Sequence, residues 1–151
     1  MTRNPDADEL LRKASGAATD LARILEAARS GQGLSVDEWQ ETAAALGQQL
    51  AVYRNACAEI NNSYGLTSAQ QRLLRYLQTH VGEVVDGDRL AGVSAIHEWA
   101  RRVRELRVEH GWRIETGVQR PDLTADQYVL TSLDPDTTLA ERWRLAKTIR
   151  G

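Results

Sequence analysis

His97, Arg101 and Arg104 stand at i, i+4 and i+7 in the stretch SAIHEWARRVRELRVEHGWRI, a spacing that sets three hydrogen-bond donors in one row along a helix. Arginine forks pair bidentately with guanine O6 and N7 and with phosphate oxygens, so the chemistry this row offers is recognition of a polyanion rather than bond breaking. Ile96, Trp99, Val103 and Leu106 recur at steps of three and four on the other side, which marks one buried helix face. A purely structural reading is also open, in which Arg101, Arg102, Arg104 and Arg107 form a solvated face beside Glu98, Glu105 and Glu109. In projection Arg102 lies with the glutamates and Arg107 flanks the apolar stripe, which makes those two the structural arginines of the set.

Beyond Gly111, a glycine suited to the left-handed turn that ends a helix, the apolar period changes from 3.6 to 2. Trp112 and Ile114 point inward while Arg113 and Glu115 point out, and Gln127 to Ser132 repeats the alternation through Tyr128 and Leu130. The two runs form a hairpin with a long tip over residues 117–125. Arg113 at its root and Arg120 in its tip are candidates for backbone phosphate or a minor groove. Thr67, Ser68 and Ser94 stand at expected helix starts, where backbone amides bind phosphate.

Other elements must position this stretch. Residues 6–29 place Leu10, Leu11, Ala14, Ala17, Ala18, Leu21, Ile24, Leu25 and Ala28 on one helical stripe. Ser35 and Glu38 form a capping-box pattern that starts a second helix running to Asn62, with Trp39, Ala43, Leu46, Leu50, Tyr53, Cys57 and Ile60 in step. Long helices joined by a short loop fold back as an antiparallel hairpin. Its role is either a buttress for the rest of the chain or an interface, over residues 6–62, for a second copy or another protein.

Thr67 to Gln70 reads as a further capping box, opening a third helix to Val81 with Leu73, Leu74, Leu77 and Val81 inward. Val84 and Val85 make a minimal strand, and Asp86 caps a short helix ending near Gly92. Ser94 caps the arginine helix, residues 95–110. After Pro135, Thr138 to Glu141 caps a last helix that ends at Gly151, with Leu139, Trp143, Ala146 and Ile149 inward and Arg144 and Lys147 outward. The fold class is therefore mainly α with a small β-hairpin. A helical hairpin occupies residues 1–65, and a helix-turn-helix with a following wing, the winged-helix order, occupies residues 66–151.

Composition narrows the function classes. The formal charge is −2, which argues against a strongly basic nucleic-acid protein. Residues 1–65 hold six Lys or Arg against nine Asp or Glu, whereas residues 66–151 hold thirteen against twelve, so any DNA contact must be a local surface. No run approaches the roughly 18 apolar residues of a membrane span, and the start, MTRNPDADELL, lacks a secretory core, which points to the cytoplasm. The single cysteine, Cys57, sits on an apolar helix face as a packed thiol.

Enzyme signatures are missing. His97-Glu98-Trp99-Ala100-Arg101 begins like a zinc-protease HExxH, but arginine stands where the second ligand belongs. Asp86-Gly87-Asp88 lacks the spaced carboxylates of a calcium loop. There is no Cys-x-x-Cys and no glycine-rich phosphate loop, and His80 and His110 stand isolated near helix ends. These residues supply no catalytic set, no metal ligands and no cofactor site.

The run GEVVDGDRLAGVSAIHEWARRVRELRVEHGWRIETG, followed by DLTADQYVL and LAERWRLAKTIR, resembles the winged-helix region beside HNH nuclease domains in bacterial restriction-type endonucleases. The most telling part is Glu98 to Ile114, and the resemblance spans residues 67–151. It implies a DNA-targeting module. The histidine-rich ββα metal site of the HNH domain has no counterpart, so cleavage by this chain is not implied. The expectation is duplex DNA binding, with residues 95–110 in the major groove and residues 112–132 on the backbone or minor groove. The rival expectations are a protein-interaction adaptor on the same fold and the targeting part of a split HNH endonuclease.

Overall fold

The computed structural model describes residues 5–150, and the chain divides into two compact units between Leu66 and Thr67. In the first, α1 (Pro5–Ser30) packs along α2 (Val36–Ser63) as a helical hairpin. The expected box at Ser35 forms in full: its Oγ accepts the Glu38 amide at 3.1 Å, and the Glu38 carboxylate accepts the Ser35 amide at 3.1 Å. The contact seam is built largely from small side chains, with Ala7, Ala14, Ala17 and Ala56 buried. Trp39 and Tyr53, expected in the α2 stripe, are instead half exposed, because the seam rotates toward Ala56 and leaves them one step outside it.

The second unit runs α3 (Ala69–Thr79), β1 (Val85–Asp86), α4 (Gly87–Ser94), α5 (Trp99–Val108), β2 (Ile114–Thr116), β3 (Gln127–Leu130) and α6 (Thr137–Arg150). The antiparallel sheet has the order β1-β3-β2, with Val85 opposite Tyr128 and Ile114 opposite Leu130. Helix, strand, two helices and a hairpin whose second strand pairs with the first strand make up the winged-helix topology expected from the periodicities. Leu73 and Leu77 of α3, Leu90 of α4, Val103 and Leu106 of α5, and Val85, Ile114 and Leu130 of the sheet form one core. Burying each such side chain contributes about 1.5–3 kcal/mol, which is what ties six short elements into one body.

Several expected details shift. The α3 cap is Ser68, not Thr67: Ser68 Oγ accepts the Gln71 amide, while Gln71 Oε1 takes the Thr67 amide, each at 3.1 Å. Val81 lies past the helix end and is exposed. α6 is capped by Asp136, whose carboxylate accepts the Leu139 amide, rather than by Thr138. Only part of its expected inward face is covered: Ala140 is buried and Trp143 half-buried, but Leu139, Ala146 and Ile149 are exposed. With only these two positions covered, the rest of the stripe would need a second element beside it to be buried. The expected end at Gly151 lies outside the described residues. No helix among those residues is long and apolar enough to cross a membrane.

Gly111 is the hinge between α5 and the wing. Its φ is +73°, its carbonyl accepts the Asp136 amide at 2.6 Å, and a Cβ there would stand 2.0 Å from the Asp136 carbonyl oxygen. Gly92, by contrast, has open space around a helical backbone. Chemical denaturation should therefore show Gly111→Ala losing about 1–3 kcal/mol or more, while Gly92→Ala gains about 0.5–1 kcal/mol. Equal effects of the two would contradict this packing.

Candidate nucleic-acid interface

The turn between α4 and α5 decides which side chains face out. Ser94 is fully buried as the last residue of α4, with its Oγ donating to the Ala91 carbonyl at 2.9 Å. Ala95 then takes the left-handed conformation, φ 58°, which ends α4 two residues beyond Gly92. The Arg72 guanidinium of α3 donates to the Ser94 carbonyl from Nε at 3.0 Å and from Nη2 at 2.6 Å. A cation at a helix C-terminus also suits the negative end of the helix dipole. Burial lowers the Arg72 pKa from the usual arginine value, though a guanidinium stays charged in proteins.

Ser94 thus cannot cap α5 or reach a phosphate; the residue at that cap is Glu98, which makes no side-chain capping bond. α5 begins at Trp99, and His97 sits exposed in the preceding turn, out of phase with the helix. Ile96 is in the same turn and exposed rather than inward. The expected three-member row therefore contracts to Arg101 and Arg104, both exposed on α5, with His97 beside its start in the chain. Thr67 and Ser68 are exposed at the head of α3, with their cap bonds already made to Gln71.

The arginines of α5 differ in what holds them. Arg102 is fixed: its Nη1 lies 2.9 Å from Glu105 Oε2, an oxygen that also accepts Gln70 Nε2 of α3 at 2.5 Å. Arg101 reaches the other oxygen of Glu105 at 3.5 Å, with 69% of its side chain exposed. With the guanidinium this exposed and the contact this long, Arg101 is the loosest of the Glu105 partners and the one an incoming anion displaces most easily. Arg104 is exposed and makes no ion pair among the described residues. Arg107 is half-buried near Tyr128, whose phenol is pushed up chiefly by burial and then by Asp126, with Arg107 opposing.

The wing is electrostatically different from expectation. Arg120 is forked onto Asp122, Nε to Oδ1 at 3.1 Å and Nη2 to Oδ2 at 2.8 Å, and its Nη1 lies 3.7 Å from Glu115. The hydrogen bonds from Arg120 hold the Asp122 carboxyl below the usual carboxylate range. Residues 114–130 hold three carboxylates against this one arginine, so Arg120 is a wing staple and not an unpaired cation waiting for phosphate. The tip is stiffened further by Thr116, whose amide and Oγ1 both donate to Gln119 Oε1 at 2.9 Å. Arg113 is exposed at the root, where its carbonyl accepts the Thr131 amide at 2.9 Å.

Sequence reading missed Arg72 and the Gln70–Glu105 link, since a charged residue beside an apolar stripe reads as solvated. It placed Arg102 with the glutamates without singling out Glu105, for which the i, i+3 spacing was the available signal. His80 does close α3, with Nδ1 2.7 Å from the Tyr76 carbonyl and its ring stacked on Tyr76 at 4.1 Å. Among the described residues no group of three or more His, Cys, Asp or Glu is placed to hold a metal ion.

Residues 70–131 match the family model of the KpnI N-terminal domain, a region of the restriction endonuclease KpnI, which is an HNH-type enzyme. The match runs from α3 through the end of β3, covering the elements that carry Arg72, Arg101, Arg104 and the wing. The resemblance read from the sequence is supported over that span and not over α6. No curated protein and no solved structure matches the chain.

Removing the Arg72 guanidinium leaves the Ser94 carbonyl buried without that donor. Arg72→Ala should cost about 1.5–3 kcal/mol, the range for hydrogen bonds to a charged group, and Arg72→Lys should recover only part, because an ammonium cannot fork. Urea unfolding measures both; an unaltered midpoint for Arg72→Ala would contradict its role in holding the turn.

Proposed function

We propose that this chain is a duplex-DNA-binding module that presents α5 to the major groove and carries no catalysis of its own. The observation that carries the reading is the pair Arg101 and Arg104: one is loosely tethered, the other has no ionic partner among the described residues, and both stand on the outward side of the helix that follows the helix-turn-helix turn. An α-helix such as α5 is about 10–12 Å across with its side chains, a diameter that a major groove about 12 Å wide admits. The match of residues 70–131 to a region of a restriction endonuclease supports the same reading. Any cleavage then belongs to an HNH-type domain outside the described residues or on another polypeptide.

In this reading the wing contributes position rather than charge. Its three carboxylates oppose close approach to phosphate, so Arg113 at the root, and not Arg120 at the tip, is the wing residue suited to the backbone. The same acidic wing favours the second reading, an adaptor that binds protein through this fold. A mobility shift with mixed duplex at low salt separates the two, because an adaptor gives no shift.

Titrating labelled duplex should show Arg104→Ala weakening binding by roughly 1–3 kcal/mol, with affinity falling as salt rises. Arg120→Ala should change it little. Binding that survives Arg101→Ala and Arg104→Ala together, unweakened, would overturn the assigned surface.

A further inference from the structure

Charge within the second unit is unevenly placed along the chain. Residues 66–136 hold nine Lys or Arg against eleven Asp or Glu, so the part that contains α5 and the wing is net negative. α6 carries the other four cations, Arg142, Arg144, Lys147 and Arg150, against Glu141 alone. One helix of 14 residues therefore reverses the sign of the whole unit.

The cations of α6 are also uncommitted. Arg142, Arg144 and Lys147 are exposed and make no ion pair among the described residues, whereas Arg101, Arg102 and Arg120 are each drawn to carboxylates. Lys147 Nζ stands 5.0 Å from the centre of the Trp143 ring, a contact that leaves its charge unneutralised. The helix is held only near its start: the Asp136 amide bonds the Gly111 carbonyl, Ala140 is buried and Trp143 half-buried, while the described side chains from Arg144 onward are exposed. It thus leaves the body beside Gly111, two residues before Arg113 at the wing root. Its exposed apolar residues do not make a lipid-facing side. Arg142 stands three positions from Leu139 and Leu145 and four from Ala146, in the middle of that stripe, so the uncharged face that a bilayer surface requires is missing.

We propose that α6 is a second contact with duplex DNA, gripping the phosphate backbone without regard to sequence while α5 meets the bases. The inference rests on the DNA-binding reading above and adds the source of its affinity. Phosphates recur about every 3.4 Å of axis along one strand, and Arg142 to Lys147 span about 7.5 Å of helix, so two or three phosphates fall within reach of these side chains. Contacts made through the tips of long side chains disturb the α6 backbone little, and the readout is the dependence of binding on salt.

The full chain, titrated with duplexes of several sequences at a series of salt concentrations, provides the test. Arg142→Gln, Arg144→Gln and Lys147→Gln together should lower the slope of log affinity against log salt by about 2 to 3 and weaken binding about tenfold or more on every duplex alike, with circular dichroism unchanged. Lys147→Gln alone should lower the slope by about 0.9. Arg142→Lys with Arg144→Lys, which keeps the charge, should hold the wild-type slope. An unaltered slope in the triple variant overturns this inference and leaves the α5 reading standing. A lowered slope, beside Arg101→Ala and Arg104→Ala that change nothing, upholds α6 and removes α5. A wild-type chain that binds no duplex at low salt, whether or not it binds phosphatidylserine vesicles, overturns both.

Discussion

The Arg72 guanidinium on the Ser94 carbonyl is the contact on which the second unit depends. Ala95 is left-handed without being glycine, a conformation that costs an L-residue about 1–2 kcal/mol. It persists because the carbonyl before it is gripped from α3 and the Ser94 hydroxyl is bonded back into α4. That turn sets where α5 starts, and the starting residue sets which arginines point away from the core. Had α5 begun at Ala95, His97 would share a face with Arg101 and Arg104. Because it begins at Trp99, the outward side carries two arginines and an exposed histidine just before it in the chain.

Charge on this unit is divided between anchoring and display. Glu105 gathers Arg102 and Gln70 and so ties α5 to α3, at the expense of a weak hold on Arg101. Arg120 closes the wing on Asp122 and Glu115. Both networks occupy arginines that would otherwise be available to an anion, which is why the thirteen cations and twelve anions of residues 66–151 leave only a small set of exposed, loosely held arginines on α5. Under the proposed DNA-binding function such a patch acts at short range, where each phosphate contact releases a counterion, rather than by a long-range field.

The elements were legible in the sequence because their apolar periods are clean. The 3.6-residue stripe of α3 and α5, the change to a period of two after Gly111 and the capping box at Ser35 all have counterparts in the structure. Even the edge strand at Val85 was visible as a few extended residues between turns. What stayed hidden depends on contacts distant in sequence. Nothing local marks Arg72 as the holder of a turn 22 residues away, and Ser94 looks like a helix cap until its burial is known. Arg120 looked like a phosphate contact because its spacing to Asp122, i and i+2, has no regular-structure partner rule. α6 misled for another reason: its apolar residues have helical spacing, but too few neighbours lie beside it to bury them.

Titrating isotopically labelled protein with a short duplex and following backbone amide shifts tests the central claim most directly. The account predicts perturbations concentrated from His97 to Val108 and at Arg113, with the wing tip around Val118 to Asp122 little affected. Shifts confined to the wing tip or to residues 6–62, or none at all at low salt, would contradict it.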